Sequence, residues 1–162
     1  MISSVMRTDV KTTTESQSLQ QVCKVMQMHN IGSVIILADD NQKKTPNGII
    51  TERDVVNHLA IDPSHSQFSA RQIMSHPVVT IAPEASLRDA LRLLVSKDIR
   101  RLVVVQDSEL VGIVTDRDIY RVIAKNESLV SALISDEELT RHSSELQQPW
   151  VYKLGDILHK RL

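Results

Sequence analysis

Gly48-Ile49-Ile50-Thr51-Glu52-Arg53-Asp54-Val55-Val56 returns further along the chain as Gly112-Ile113-Val114-Thr115-Asp116-Arg117-Asp118-Ile119-Tyr120. Five of the first seven positions are identical, and the other two keep their chemical type. Two of the chain's four glycines open the phrase. A repeat of this kind means that one supersecondary unit has been used twice, so the fold is read as a pair of units. A pair creates a cleft between its members, and function is expected there.

The second copy reads outward most easily. Val78-Val79-Thr80-Ile81 is a predicted short strand ended by Ala82-Pro83. Ser86 has the character of an N-cap, and Asp89 three residues later completes a capping-box pattern. Leu87, Ala90, Leu91, Leu94 and Val95 then share one face of a helix. Leu102-Val103-Val104-Val105 is rich in β-branched residues and predicts a buried strand. The turn Gln106-Asp107-Ser108-Glu109 leads to a hairpin partner, Leu110-Val111-Gly112-Ile113-Val114. A second helix starting near Thr115 buries Ile119, Val122 and Ile123. The order is strand, helix, strand, strand, helix.

The first copy follows the same course 68 positions earlier, with Met6, Thr12, Ser18 and Leu19 answering to Met74, Thr80, Ser86 and Leu87. The offset falls to 64 past the turn of the first hairpin, whose Asp-Asp-Asn-Gln-Lys-Lys stretch is longer. Closure entropy grows slowly with loop length, so this insertion is tolerated. The expected organisation is a repeat over 1–60, a linker over 61–70, a second repeat over 71–125 and a helical tail over 126–162. In the tail, Ser135-Asp136-Glu137-Glu138 predicts a helix start. Val151, Leu154, Ile157, Leu158 and Leu162 give an amphipathic spacing, and the tail is expected to pack on its own module; the alternative is that Trp150 with Val151, Leu154 and Leu158 anchors a partner.

Composition narrows the function. Hydrophobic residues make up 41% and charged residues 24%, as in ordinary globular chains. Aromatics at 2% leave no platform for stacking bases of a single strand. A net charge of -1 gives no broad footprint for a phosphate backbone, so nucleic acid is not an expected partner. No apolar run reaches membrane-spanning length, and no signal pattern opens the chain, so a cytoplasmic location is expected. The single Cys23 lies among Val22, Val25 and Met26 and reads as a small core residue. His29, His58, His65, His76, His142 and His159 lack metal-ligand spacing, and no catalytic constellation can be singled out, so neither a metal nor an enzyme is expected.

The repeated phrase has chemistry of its own. A strand ending at Thr115 and a helix starting there present backbone N–H groups to an anion. The Thr115 hydroxyl adds a donor, and Asp118 can accept from both hydroxyls of a ribose. Arg117 offers a forked guanidinium to phosphate. Gly112 allows close approach of a ligand. Thr-x-x-Asp is equally a capping box, which needs no ligand to explain it.

The paired Gly-Ile-Val-Thr-Asp-Arg-Asp phrase, each copy preceded by a Val/Ile-rich strand and an Ile-Met or Val-Met start, resembles the cystathionine-β-synthase (CBS) domain pair, or Bateman module, over residues 1–125. The resemblance implies an α+β fold of tandem βαββα repeats about a pseudo-twofold axis, here with a C-terminal helical extension. It implies a regulatory protein, commonly a disc-like homodimer, that binds an adenine nucleotide (AMP, ADP or ATP, or S-adenosylmethionine) between its repeats and relays this to an effector protein. The alternative is a structural interaction and dimerisation module without bound nucleotide. The resemblance places the base against Thr80 and Ile99-Arg100-Arg101. Thr12, Ile31-Gly32-Ser33, Thr51, Arg53 and Asp54 occupy the matching positions of the first repeat. Arg100-Arg101 replace Gly32-Ser33, and their charge leads us to expect the stronger site in the second repeat. Glu15 stands where the second repeat has Pro83, which leaves the base-side edge of the first repeat less regular.

Overall fold

The protein is described by a computed structural model covering residues 1–39 and 43–125. The expected tail helices and Trp150, together with turn residues 40–42, lie outside the described residues.

The first repeat runs β1 (Thr12–Thr14), α1 (Leu19–His29), β2 (Ser33–Leu37), β3 (Pro46–Thr51) and α2 (Glu52–Ile61). A short 3-10 helix, Pro63–Gln67, and α3 (Ala70–Ile73) follow, so much of the expected linker is folded. The second repeat runs β4 (Thr80–Ile81), α4 (Leu87–Ser96), β5 (Arg101–Gln106), β6 (Glu109–Thr115) and α5 (Asp116–Ile123). The predicted βαββα order therefore occurs twice. The strand expected over 78–81 shortens to its last two residues. The three-stranded sheets are ordered β1-β2-β3 and β4-β5-β6. β1 lies parallel to β2, and β2 antiparallel to β3, with Ser33 opposite Thr51.

Local chemistry explains the helix starts. Ser86 and Asp89 form the predicted capping box at α4, and Ser18 accepts from the Gln21 N–H at α1. The hairpin between β5 and β6 turns through Asp107 and Ser108, both with positive φ, as a tight two-residue connection requires.

The chain divides into two compact units. One unit holds Thr8–Thr80 with Val105–Gly112. Its core is Leu19, Val22 and Met26 of α1, Val34 and Ile36 of β2, Ile50 of β3, and Ala70 and Ile73 of α3. The Ala70 N–H donates to the Gln17 carbonyl and the Arg71 N–H to that of Glu15, while Ser75 bridges Ile49. The other unit holds Met1–Arg7, Ile81–Val104 and, of the described residues, 113–125. There the Ile2 N–H donates to the Ala85 carbonyl and the Ser3 N–H to that of Pro83, while Arg7 bridges Ile113. The two arrangements correspond residue for residue at the repeat offsets. Each sheet is thus completed by an arm from the chain segment preceding the other repeat. Ile2, fully buried, fills the place that Ala70 fills in the first unit.

Gly48 belongs to this arm packing. A methyl group at Gly48 would overlap the Sδ and Cγ of Met74 and press on its Cβ at 3.0 Å. Gly48→Ala is expected to lower stability by about 1–3 kcal/mol, the usual range for overpacking. Urea denaturation checks this, and an unchanged midpoint would refute it.

Candidate functional site

In the unit built on the first repeat, the start of β2 lies beside the end of β3, and α2 springs directly from β3. The Glu52 N–H donates to the Gly32 carbonyl at 3.2 Å, which draws Ile31-Gly32-Ser33 to the start of α2. Thr51 caps the helix. Its N–H and Oγ1 donate to Asp54 Oδ2 at 2.8 and 2.7 Å, and its Oγ1 accepts from the Asp54 N–H. Asp54 Oδ1 has no partner among the described residues, and neither has the Arg53 N–H. A carboxylate offers about four acceptor positions. Two of those on Asp54 are open. Arg53 is exposed, and Thr12 lies in β1 opposite Ile35 of β2. The structure therefore gathers Ile31, Gly32, Ser33, Thr51, Arg53 and Asp54 at one helix start, with Thr12 on the adjoining strand.

In the unit built on the second repeat, the same backbone logic holds. The Asp116 N–H donates to the Arg100 carbonyl at 3.1 Å, so Ile99 and Arg100 meet the start of α5. Thr115 Oγ1 and N–H donate to Asp118 Oδ2 at 2.6 and 3.2 Å. Here Arg7 intervenes: its Nη2 and Nε donate to Asp118 Oδ1 at 2.8 and 3.2 Å. All four acceptor positions of Asp118 are taken. The expected free N–H groups at this helix start are also engaged, because the Arg117 N–H donates to the Asp116 carboxylate at 2.6 Å and the Asp118 N–H to Thr115. Arg100 and Arg117 are exposed, and Arg101 is half-buried. Thr80, exposed at the start of β4, and Gly112, buried in β6, fall in the other unit and are not gathered at this helix start. Arg100 and Arg101, which led to the expectation of a stronger site, give the second repeat the greater positive charge. Hydrogen-bonding capacity ranks the first repeat first.

Asp118 is only 7% exposed, against 57% for Arg7. Burial alone would push its carboxyl pKa up. The hydrogen bonds from Thr115 and Arg7, with the Arg7 charge, outweigh this and hold it below the ordinary 3.8. The stability Asp118 contributes is therefore complete above its unfolded value and lost as pH falls through the lower folded one. In Arg7→Ser part of that depression disappears. Acid unfolding followed by circular dichroism is expected to begin at higher pH in Arg7→Ser, within about pH 2–4. Coincident acid limbs would contradict the pair's contribution.

Sequence reasoning missed two residues here. Arg7 and Asp116 fill the second helix start, and the offset that aligns Arg7 with Ser75 was the available signal. Glu15 is 7% exposed and ties Asn47 and Arg71 through its carboxylate. Its carbonyl receives Arg71 as the Pro83 carbonyl receives Ser3, so the backbone role of that position survives the change. Cys23 packs beside the α1 core, and burial pushes its thiol pKa up, away from the reactive thiolate. Among the described residues no three His, Cys, Asp or Glu groups gather as metal ligands, and no helix is long and apolar enough to cross a membrane.

Comparison with known proteins adds a family. The CBS domain model matches residues 2–61 and 70–125. An uncharacterized protein of Methanopyrus kandleri, MK0525, is 38% identical over 147 residues, covering 90% of this chain and 71% of its own. The CBS domain-containing protein YhcV of Bacillus subtilis is 32% identical over 132 residues, covering 82% and 91%. Among solved structures, the CBS domain pair of protein MJ0100, in complex with 5′-methylthioadenosine and S-adenosyl-L-methionine, superposes with a TM-score of 0.68 at 25% identity, over 77% of this chain and 96% of that one.

Proposed function

We propose that this chain, which belongs to the CBS domain family, is a regulatory module that senses an adenine nucleotide of the AMP, ADP or ATP class. The observation that supports this best is the open half of Asp54. Oδ1 keeps two acceptor positions for a ribose diol, next to an unpaired N–H and the exposed guanidinium of Arg53 for phosphate. Ile31 and Thr12 would edge the base. Thr80, Ile99, Arg100, Arg101, Gly112, Thr115, Arg117 and Asp118 form the corresponding set in the second repeat. The adenosyl ligands carried by the MJ0100 pair support the adenosine part of this reading; neither carries a phosphate.

Relay follows from position. α2 carries Asp54 and also the exposed Val56 and Ile61, so a ligand at its start acts on a helix with an apolar surface of its own. Binding changes the output only where the ligand has different affinity for two helix arrangements. A homodimer partner or an effector protein would read that difference.

A second reading, an interaction and dimerisation module with no nucleotide, is favoured by exposed apolar residues on α1 and α2, Met28 and Ile61 being 76% accessible. Thermal unfolding with AMP, ADP, ATP and S-adenosylmethionine separates the two. The sensor gains about 2.7 kcal/mol with a ligand at 100 times its Kd. No shift with any of the four leaves the interaction module standing.

A further inference from the structure

We infer that the Asp118 position is kept closed by the chain itself, with the Arg7 guanidinium standing where a ribose diol would bind and the Asp116 carboxylate where a phosphate would. This rests on the reading of Asp54 and Asp118 as ribose acceptors, and adds that only the Asp54 position accepts ligand in the unaltered protein.

Two independent contacts carry it. Arg7 places two N–H groups on the one Asp118 oxygen that the cap leaves over. Asp116 places an anionic oxygen 2.6 Å from the Arg117 N–H, the donor that is unpaired on Arg53. Backbone differences do not explain the contrast, because Arg7 bridges Ile113 as Ser75 bridges Ile49. Side chains do. Ser75 is short and neutral and cannot span to Asp54, and Glu52 in place of Asp116 leaves the following N–H unpaired. A charge-assisted pair with a 7% exposed carboxylate competes directly with the ligand's hydroxyls. Arg7 remains 57% exposed, so the closure is a side-chain latch that a rotamer change releases.

Calorimetric titration of the full chain with AMP and with ATP tests this in four proteins: unaltered, Arg7→Ser, Asp54→Ala and the double variant. One equivalent per chain is expected for the unaltered protein, and none for Asp54→Ala at ligand concentrations that just saturate the unaltered protein. Arg7→Ser takes up a second equivalent, its affinity at the Asp118 position rising at least about tenfold. The double variant binds one. Should Arg7→Ser fail to fold, Arg7→Gln keeps the length and removes the charge. Two equal equivalents in the unaltered protein, or an unchanged single equivalent in Arg7→Ser, overturn the closure and leave the sensor reading standing. No binding to any of the four proteins removes the sensor reading, and the closure with it.

Discussion

Asp118→Ala is expected to lower the unfolding free energy by about 2–3 kcal/mol, and Asp54→Ala by only about 1 kcal/mol. The two residues occupy the same position in the repeated phrase and make the same cap with the preceding threonine. A helix cap is worth about 1 kcal/mol, and that is the whole expected loss at Asp54. Asp118 adds two charge-assisted hydrogen bonds from Arg7. Such bonds to charged groups contribute about 1.5–3 kcal/mol, reduced here because the Arg7 side chain is more than half exposed and regains water when released. Urea denaturation of both variants measures the difference. Equal losses would mean that the Arg7 pair adds nothing to stability.

Binding should show the reverse ranking. Asp54→Ala is expected to weaken adenine-nucleotide affinity at least about 100-fold, from two lost hydrogen bonds between ribose hydroxyls and a charged acceptor. Asp118→Ala, compared at a temperature where both variants are folded, should leave that affinity within about threefold, the spread usual for a residue that does not touch the ligand. A half-buried carboxylate with one oxygen committed to a cap can serve fold and ligand together, because the cap needs only Oδ2. A merely structural Asp54 would lose stability without losing affinity. Titration of the two variants against the unaltered protein distinguishes these outcomes.

Much of this was legible because it is local. Ser86 with Asp89, Thr51 with Asp54 and Thr115 with Asp118 each sit three residues apart, so their caps depend on nothing beyond one helical turn. The apolar faces of α1 and α4 follow from helical spacing alone. What escaped was non-local. Arg7 and Asp118 are 111 positions apart, and no periodicity links them. The arm exchange, which seats Ile2 against Ala85 and Ser3 against Pro83 and seats Ala70 against Gln17, is a choice between equivalent partners. A duplicated sequence offers each arm two matching sheets and does not say which it joins. The inequivalence of the two helix starts follows from that choice, because it decides which carboxylate meets an arginine and which does not.

The account depends on Asp54 reading a sugar through its paired hydroxyls. Titration of the unaltered protein with the adenine ribonucleotide that stabilises it most, set against the 2′-deoxy form of that nucleotide, tests this directly. The deoxy form is expected to bind at least about tenfold more weakly, with the gap closing in Asp54→Ala. Equal affinity for the two sugars in the unaltered protein would contradict it.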